Sequence, residues 1–295
     1  MSTTGRLLVT GAAGQLGRLV VAELAAAGWR VVAVDRRIPA ALPDGVRPVV
    51  ADIRRPDDLR QAMAGCEAVI HLAAHTNPGA GSGADVFAGN TAATFAVLAA
   101  AAEAGVRTAV LASSVSAYGM SYAPQLLPPR YVPVDEDHPL LPQDAYGLSK
   151  QADEHTGAMF TRRHAMSVVA LRLHWVATAA QIHDRVAATA ADPGFGAGPR
   201  ELWGYVECRD AARAFRAALE VREGCHTVQV CAPDTLSPEP TRTLLERFHP
   251  GTAVRAALPG GTGLWSTDRA RRLLGCAPAW TWREHQPQHP EAIHR

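Results

Sequence analysis

The sequence predicts an α/β protein in which a doubly wound parallel sheet is followed by a small C-terminal α/β lobe. Three observations predict this fold class. Short apolar runs alternate with helix-like stretches up to residue 173, a glycine-rich turn follows the first run, and the alternation loosens beyond residue 175. Strands that alternate with helices imply crossover connections, which place helices on both faces of a parallel sheet.

Each predicted element comes from its own local pattern. Short apolar runs predict strands, and apolar residues at helical spacing predict helices. The predicted strands are residues 6–10, 30–34, 48–51, 68–72, 108–111 and 167–173. The predicted helices between them are residues 15–27, 57–63, 85–104 and 144–164. In the C-terminal lobe, glycine- and proline-rich segments separate a strand at 226–230 from helices at 210–221, 241–248 and 268–274.

The composition narrows the classes of function. Of 295 residues, 47% are apolar and 19% are charged, which is enough apolar material for a buried core. The net charge of +1 provides no basic surface for nucleic acid or an anionic membrane. The longest uncharged apolar stretch, residues 91–102, is shorter than a membrane span, and Gly11 interrupts the first apolar run too early for a signal peptide. The five cysteines are scattered, so we expect a cytoplasmic protein with reduced thiols.

The glycine-rich turn predicts a phosphate-binding loop. The pattern G-x-x-G-x-x-G is made by Gly11, Gly14 and Gly17. Such glycines allow a tight turn and let the backbone approach a pyrophosphate at the N-terminus of a helix. Asp35, about 20 residues further on at a strand end, suits the hydroxyl groups of a ribose and favours NAD. Arg36 or Arg37 would instead bind the 2′-phosphate of NADP if Asp35 turned aside.

The chain contains a single lysine, and its place suggests chemistry. Of 29 basic residues only Lys150 is not an arginine, and an ammonium group does not substitute for a guanidinium in catalysis. Tyr146 lies four residues earlier, on the same helical face. A phenol has a pKa of about 10, but a nearby ammonium and an oxidised nicotinamide ring would favour the phenolate. Tyr146 would then exchange a proton with a substrate hydroxyl or carbonyl group.

Hydroxyl side chains lie just beyond the strand predicted at residues 108–111. The sequence there is VLASSVSAYG, from Val110 to Gly119. In open α/β sheets, ligands bind beyond the carboxyl ends of the strands. Hydroxyl groups at this place can polarise a substrate oxygen.

These segments together resemble the extended short-chain dehydrogenase/reductase family, which contains NAD-dependent sugar epimerases and dehydratases. The resemblance covers nearly the whole chain and rests on TGAAGQLG, Asp35, ADI (51–53), HLAA (71–74), Asn90, SSVSAYG, YGLSK, LRLHW and GYVECRDAARA. Residues 1–174 are then a Rossmann-type dinucleotide-binding domain. Residues 175–295 mainly form a substrate-binding lobe, with segments that return to the first domain. The resemblance also implies a homodimer that pairs the helices near 85–104 and 144–164.

The resemblance implies a set of cofactor contacts. These are Gly11, Ala13, Gly14, Gln15, Leu16, Gly17, Asp35, Arg36, Asp52, Ile53, Leu72, Ala73, Ala74, Asn90, Tyr146 and Lys150. The glycines would hold the pyrophosphate, and Asp52 with Ile53 would contact the adenine. For Asn90, a buried bridging amide is the favoured interpretation.

Catalytic roles follow from the same resemblance. Ser114 would polarise the substrate, Tyr146 would act as acid and base, and Lys150 would assist it and bind the nicotinamide ribose. Ser113 remains an alternative to Ser114, and Ser116 is a second substrate contact. Hydroxyl groups at a strand end can also simply cap backbone groups.

Two residues depart from the nucleotide-sugar members of that family. Trp175 stands where those enzymes usually carry Asn, and Glu201 stands where they carry an Arg that grips the diphosphate. A carboxylate repels a diphosphate, although the neighbouring Arg200 would compensate after a shift of one residue. The departures favour a smaller polar substrate, such as a free sugar, a sugar acid, a cyclitol or a hydroxy-ketone.

Other side chains are weaker candidates for the site. His75, His174, Trp175 and Trp203 are candidate substrate contacts, but surface or packing roles are favoured for the two histidines. Trp203 is expected to shape the substrate lobe. The histidines near the C-terminus, His285, His289 and His294, have no ligand spacing, so we expect no metal site.

Three functions fit the sequence. The leading hypothesis is an NAD(P)-dependent oxidoreductase that moves a hydride between nicotinamide and a small substrate, while Tyr146 moves the proton. The second is an NAD-dependent epimerase or dehydratase of a sugar or sugar nucleotide, with no net redox change. The third is a catalytically silent dinucleotide-sensing regulator. The complete set of Ser, Tyr and Lys disfavours the third.

Overall fold

The computed structural model describes residues 5–38 and 41–285. The described strands are β1 (Arg6–Thr10), β2 (Arg30–Asp35), β3 (Val46–Val50), β4 (Ala68–His71), β5 (Thr108–Ser114), β6 (Tyr131–Val132), β7 (Ser167–Leu173), β8 (Val176–Ala177), β9 (Val206–Glu207), β10 (Cys225–Val230) and β11 (Ala253–Val254). The described α-helices are α1 (Gln15–Ala26), α2 (Pro56–Met63), α3 (Gly83–Glu103), α4 (Ala145–His164), α5 (Ala179–Ala191), α6 (Cys208–Ala218), α7 (Thr241–Phe248) and α8 (Asp268–Leu274).

Seven strands form one parallel sheet in the order β10-β7-β5-β4-β1-β2-β3. The chain runs outwards from β1 in one direction and then returns to continue from β4 in the other. This reversal confirms the predicted doubly wound sheet, and it opens a crevice beyond the carboxyl ends of β1 and β4. Thr10 and His71, the last residues of these two strands, are register partners at that crevice.

The apolar strands are explained by burial on both faces of the sheet. All seven residues of β7 are buried, whereas the edge strand β3 is largely exposed. In β1, Leu7 and Val9 pack on the side of α1 and α6, and Leu8 packs on the side of α2, α3 and α4. A parallel sheet covered by two helical layers therefore requires the continuous apolar runs that predicted it.

A third apolar cluster forms the core of the C-terminal lobe, with Trp203, Tyr205 and Trp265 among its buried members. The lobe is not a continuous stretch of chain. Strand β10 returns to the edge of the central sheet and α6 packs on α1, whereas Val132 of β6, from the first half of the chain, packs in the cluster of the lobe.

Helix α5 and the two-residue strands β6, β8, β9 and β11 were not among the predicted elements. A signal for α5 is present in the sequence. Thr178 and Gln181 form a capping box, in which each side chain bonds the backbone N–H of the other residue. The short strands have no local signal because each needs a partner that is distant in sequence.

Helix α3 is long and apolar enough to cross a membrane by length and composition. In the structure it packs against α4, α2 and β4, which is the placement of a core helix in a folded domain. Less than half of its most apolar stretch is buried within one chain. Phe95 on its outer face is 53% exposed.

Candidate active site

The turn between β1 and α1 is built so closely that it requires glycine. Gly11 has a left-handed backbone with φ of 69°, and a Cβ atom there would lie 2.6 Å from the backbone nitrogen of Ala73. A Cβ atom on Gly17 would overlap the carbonyl oxygen of Gly11. Helix α1 begins after Gly14 without a side-chain cap. Its first N–H groups are therefore available to a phosphate.

Asp35 faces this turn from the end of β2. Its carboxylate accepts a hydrogen bond from the N–H of Ala13 at 3.0 Å and a longer one from the N–H of Arg37 at 3.4 Å. Arg36 and Arg37 are exposed beside it. The carboxylate is thus directed towards the glycine turn, the orientation that suits a ribose.

The predicted adenine contacts lie on the loop after β3. The guanidinium of Arg54 binds the Asp52 carboxylate, with its Nε atom 2.9 Å from Oδ1, and these hydrogen bonds lower the pKa of Asp52 to about 2. Ile53 packs at the edge of the core. An adenine amino group at Asp52 would therefore share the carboxylate with Arg54.

The segment after β4 is fixed by the hydroxyl group of Thr10. This oxygen accepts hydrogen bonds from the N–H groups of Leu72 and Ala73 at 3.2 Å and 3.3 Å, and it lies 2.7 Å from Nδ1 of His71. Leu72 and Ala74 line the same cleft as the glycine turn. The predicted dinucleotide contacts of this segment therefore lie beside the phosphate-binding loop.

Asn90 is a bridging amide rather than an open contact, as the favoured interpretation held. Its oxygen accepts the N–H of His75 at 2.8 Å, and its nitrogen donates to the carbonyl of His75 at 3.1 Å and to Oγ of Ser149 at 3.0 Å. The side chain is buried and lies outside the lining of the cleft. His75 also lies outside that lining, with its ring against Gly89 of α3.

The Ser, Tyr and Lys side chains converge on one cleft. Ser114 ends β5, Tyr146 lies in the first turn of α4 after its cap residue Asp144, and Lys150 lies one turn further along the helix. The Nζ atom of Lys150 lies 5.8 Å from the centre of the Tyr146 ring and donates to the carbonyl of Ala112 at 2.9 Å. The cleft has a volume of about 500 Å³ and extends from the glycine turn to these residues.

The structure separates the two candidate serines. Ser113 donates its hydroxyl hydrogen bond to Glu154 at 2.6 Å, whereas Ser114 donates to the hydroxyl of Ser116 at 3.0 Å and accepts the N–H of Ser116 at 3.1 Å. The hydroxyl of Ser113 is therefore committed to a buried carboxylate. All three serines line the cleft, and Ser114 also caps the turn that follows β5.

A buried ion pair lies behind Ser113 of the cleft, and no local sequence pattern indicated it. Arg172 of β7 binds both carboxylate oxygens of Glu154 on α4, at 2.9 Å and 2.7 Å, and also donates to the hydroxyl of Tyr118 at 3.0 Å. The bidentate pair satisfies both buried charges. It connects β7 and α4 directly behind Ser113.

His174 is a wall of the cleft. Its Nε2–H donates to the carbonyl of Glu201 at 3.0 Å, and its Nδ1 accepts the N–H of Trp175 at 2.7 Å. Burial lowers the pKa of His174 to about 4, so the ring is neutral near pH 7. Both ring nitrogens therefore already have hydrogen-bond partners, which favours the packing role expected for His174.

The two candidate tryptophans have different roles. Trp175 lines the cleft, with the guanidinium of Arg185 at 4.8 Å over its ring. Trp203 is only 1% exposed and donates its indole N–H to the carbonyl of Pro193 at 2.8 Å. Trp203 is therefore a core residue of the lobe, and its assignment as a substrate contact is wrong because packing removes it from the cleft.

Two further side chains enter the cleft, and Arg200 stays out of it. Tyr122 approaches Tyr146 edge-on with ring centres 6.3 Å apart, and Glu201 lies in the lining. Burial raises the pKa of Glu201 to about 7, although the positive charge of Arg185 opposes that shift. No sequence pattern indicated Tyr122.

Arg200 lies outside the cleft and donates to the carbonyls of Ala123 and Gln125. The shift that would let Arg200 replace the missing diphosphate contact is therefore not made.

No group of three His, Cys, Asp or Glu residues in the described part of the chain is arranged to hold a metal ion. His285 is exposed and bonds the carbonyl of Thr281 at 2.9 Å. His289 and His294 lie outside the described residues.

With this geometry in place, the comparisons with known proteins identify the family. A model of the NAD dependent epimerase/dehydratase family matches residues 7–231. The chain belongs to this family. It is an enzyme family, and the similarity to its members extends over both the glycine turn and the Tyr–Lys pair.

Two similar proteins carry the names of sugar enzymes. The chain is 32% identical over 186 residues to L-arabinose 1-dehydrogenase (NAD(P)(+)) of Haloferax volcanii, which covers 61% of this chain and 71% of that enzyme. It is 31% identical over 176 residues to UDP-glucose 4-epimerase of Streptomyces lividans, over 57% of this chain and 51% of that enzyme. The chain thus aligns with only about half the length of the epimerase.

Solved structures of the family share the whole fold. The structure of MoeE5 in complex with UDP-glucose and NAD aligns with a TM-score of 0.71 and 28% identity, over 95% of each chain. A short-chain dehydrogenase/reductase superfamily protein from Agrobacterium tumefaciens with bound NAD aligns with a TM-score of 0.69 and 26% identity, over 94% of each chain. The predicted membership of the extended short-chain dehydrogenase/reductase family is therefore confirmed.

Proposed function

We propose that this enzyme is an NAD-dependent dehydrogenase that oxidises a small polar alcohol of the sugar type, or reduces the corresponding carbonyl compound. The observation that carries the proposal is the convergence of Ser114, Tyr146 and Lys150 on the cleft that begins at the glycine turn. The dinucleotide-binding and proton-transfer residues thereby share one space, as hydride transfer coupled to proton transfer requires.

The residues of the chain fit a dinucleotide. Glycine at positions 11 and 17 lets the turn pack directly on neighbouring backbone atoms, and the start of α1 offers uncapped N–H groups to a pyrophosphate. Asp35 would bind the adenosine ribose, and Lys150 would bind the nicotinamide ribose. When bound, NAD supplies the acceptor or donor of the hydride.

The preference for NAD over NADP is supported by the orientation of Asp35. The hydrogen bond from Ala13 holds the carboxylate at the ribose side of the turn, where its charge would repel a 2′-phosphate. Arg36 and Arg37 remain exposed and would bind that phosphate only if Asp35 moved.

The proton follows a short route in the proposed reaction. In the oxidation, the hydroxyl group of the substrate would lose its proton to Tyr146, and bound NAD would supply the hydride acceptor. Ser114, whose hydroxyl donates to Ser116 in the structure, would turn that hydrogen bond to the substrate oxygen and orient it. Lys150, held by the carbonyl of Ala112, places a positive charge beside the tyrosine that favours its ionised form.

The small size of the proposed substrate is supported by the walls of the cleft. Trp175 fills one wall, Glu201 supplies a carboxyl group, and Arg200 is held by two backbone carbonyls. Among the described residues that line the cleft there is no arginine to bind a nucleoside diphosphate.

The replacement Tyr146→Phe tests the proposal. We expect the purified wild-type protein to reduce NAD in the presence of aldoses, followed by absorbance of the reduced nicotinamide. The variant should bind NAD with unchanged affinity and lose at least about 100-fold in kcat, because proton transfer commonly contributes that factor. Tyr131→Phe, which removes a hydroxyl bonded to Asp135, is the matched control. Unchanged turnover of Tyr146→Phe would falsify the assigned proton carrier.

A second candidate is a sugar epimerase or dehydratase, favoured by the similarity to UDP-glucose 4-epimerases. Such an enzyme returns the hydride to its substrate and keeps its NAD. It would be isolated with one non-exchanging NAD per chain and would convert its substrate without a net change in nicotinamide absorbance. That result would reject the dehydrogenase function and support the epimerase or dehydratase function.

We also infer a homodimer in a reducing compartment such as the cytoplasm. Phe95 on α3 and Leu148 on α4 are 53% and 46% exposed on neighbouring helices. Pairing these helices with those of a second copy would cover both side chains. All five cysteines are free thiols, which is usual for proteins of a reducing compartment.

A further inference from the structure

Glu201 lines the substrate end of the cleft, and the proposed proton transfer makes no use of it. Its side chain faces the same space as Tyr122, Trp175 and the serines that follow β5. Within residues 5–38 and 41–285, no side chain donates a hydrogen bond to its carboxyl group, and only the charge of Arg185 acts on it favourably. Glu201 is half-buried at the cleft, so its carboxyl group is available to accept hydrogen bonds from a molecule bound there.

The position of Glu201 is fixed through its backbone. Its carbonyl oxygen accepts hydrogen bonds from Nε2 of His174 at 3.0 Å and from Nε1 of Trp265 at 3.1 Å. The next two residues, Leu202 and Trp203, have left-handed backbones with φ of 51° and 52°, and their side chains are fully buried. Such a conformation is unfavourable for L side chains and persists only where the surroundings enforce it. The packing of the lobe therefore holds Glu201 at the cleft.

Cations near the cleft are already engaged. Lys150 is the only lysine or arginine in the described lining, and it is bonded to the carbonyl of Ala112 and faces Asp153. Arg200 donates to two backbone carbonyls, and Arg185 stacks on Trp175. An anionic substrate group next to Glu201 would therefore meet a like charge without a compensating cation.

We propose that Glu201 selects the class of substrate, by accepting hydrogen bonds from the hydroxyl groups of a neutral polyhydroxylated sugar and rejecting the corresponding sugar acid or sugar phosphate. A carboxylate has two oxygens that can accept from neighbouring hydroxyls, and these bonds are stronger than neutral ones. The proposal rests on the proposed dehydrogenase function and narrows it, because a free sugar and a sugar acid both fitted the sequence.

The preference for the neutral sugar over the sugar acid or sugar phosphate should increase with pH. Burial raises the pKa of Glu201 to about 7, so the carboxyl group gains its charge across neutral pH. The titratable groups around it are Arg185 of α5, Tyr122 and Tyr146, and His174. Burial lowers the pKa of His174 to about 4 and raises the pKa of Tyr122 to about 12. Of these two groups and Glu201, only Glu201 changes its charge near pH 7.

The experiment compares matched substrates on the wild-type protein, on Glu201→Gln and on Glu246→Gln. Glu246 is exposed on α7, so its replacement is the control. The probes are D-galactose against D-galacturonate and D-glucose against D-glucose 6-phosphate, with NAD, at pH 6 and pH 8.5. We expect the wild type to favour the neutral sugar at least about tenfold in kcat/KM at pH 8.5, and several-fold less at pH 6. Glu201→Gln should lower the preference to below about threefold at both pH values, and Glu246→Gln should match the wild type.

The proposal is overturned if the wild type uses the sugar acid or the sugar phosphate as well as the neutral sugar, or if Glu201→Gln keeps the full preference. Unchanged NAD affinity shows that each variant is folded. Calorimetric titration of the same sugars into the protein saturated with NADH measures their binding affinities, and hence the preference for neutral sugars, without turnover. Absence of turnover with selective binding would therefore reject the dehydrogenase and keep the role of Glu201. Absence of binding of all four sugars would overturn this proposal.

Discussion

The Nζ atom of Lys150 lies 3.5 Å from Oδ2 of Asp153, its neighbour one turn along α4. Both side chains are buried, and Oδ1 of Asp153 has no hydrogen-bond partner among the described residues. Burial raises the pKa of Asp153, although the charge of Lys150 opposes that shift. The ammonium group that supports Tyr146 thus shares its charge with a carboxyl group.

Asp153→Asn should move the acidic limb of the pH profile of kcat/KM to lower pH, by roughly one unit. Removal of the negative charge leaves the ammonium more effective in stabilising a phenolate. The measurement is a profile from pH 5 to pH 9 with NAD at saturation, and Asp44→Asn, at an exposed loop position, is the control. A fall in kcat without a displacement of the limb would show that Asp153 only holds Lys150 in place.

Asp35→Ser should raise the ratio of kcat/KM for NADP to that for NAD by roughly tenfold or more. The replacement removes the charge that would repel a 2′-phosphate and leaves Arg36 and Arg37 exposed beside the turn. Initial rates at several concentrations of each cofactor measure the ratio, with Asp44→Ser as the control. An unchanged ratio would mean that Asp35 does not face the ribose in the complex.

Glu201→Gln should stabilise the folded protein at pH 8 and not at pH 4. The pKa of Glu201 is about 7 in the folded protein against 4.5 for the ordinary side chain, so the folded state holds its proton more tightly. The free energy of unfolding of the wild-type protein therefore falls as the pH rises from about 4.5 to 7. Above that range the loss of stability due to Glu201 is complete. The variant removes a cost of up to about 3 kcal/mol. Thermal unfolding at both pH values measures the Tm of the variant and of the wild type. We expect the Tm of the variant to be several degrees higher at pH 8.

Phe95→Glu should weaken the proposed dimer at least about tenfold. A charge placed among the apolar side chains of α3 and α4 would lose its water without gaining a partner. Light scattering after size-exclusion chromatography, at several concentrations, measures the mass. Val50→Glu is the control, because Val50 is 71% exposed on the edge strand β3. A wild-type protein that is monomeric at all concentrations would contradict the proposed dimer.

The sequence was sufficient for the central sheet and for the spacing of the principal site residues. Strands buried on both faces show as continuous apolar runs, and the crossover helices between them force a parallel order. The four-residue spacing of Tyr146 and Lys150 is a local property of a helix, and both residues lie on α4 at the cleft as predicted. The glycine turn is likewise local, because its backbone needs no distant partner to require glycine.

Tertiary structure was needed wherever the direction of a side chain depends on distant chain segments. Both serines at the end of β5 line the cleft, and only the hydrogen bond to Glu154 shows that the hydroxyl of Ser113 is already engaged. Arg200 donates hydrogen bonds to backbone carbonyls about 75 residues away in the sequence, which keeps it out of the cleft. No local pattern predicts such a contact.

The sequence by itself therefore determined the glycine turn and the spacing of the Tyr–Lys pair, since each depends on a few neighbouring residues, and its motifs together carried the resemblance to the family. The tertiary structure decided the character of the substrate end. Trp203 is buried, both ring nitrogens of His174 have hydrogen-bond partners, and the carboxyl group of Glu201 lies at the cleft. These outcomes come from packing between segments far apart in the chain, whose energies no local pattern records.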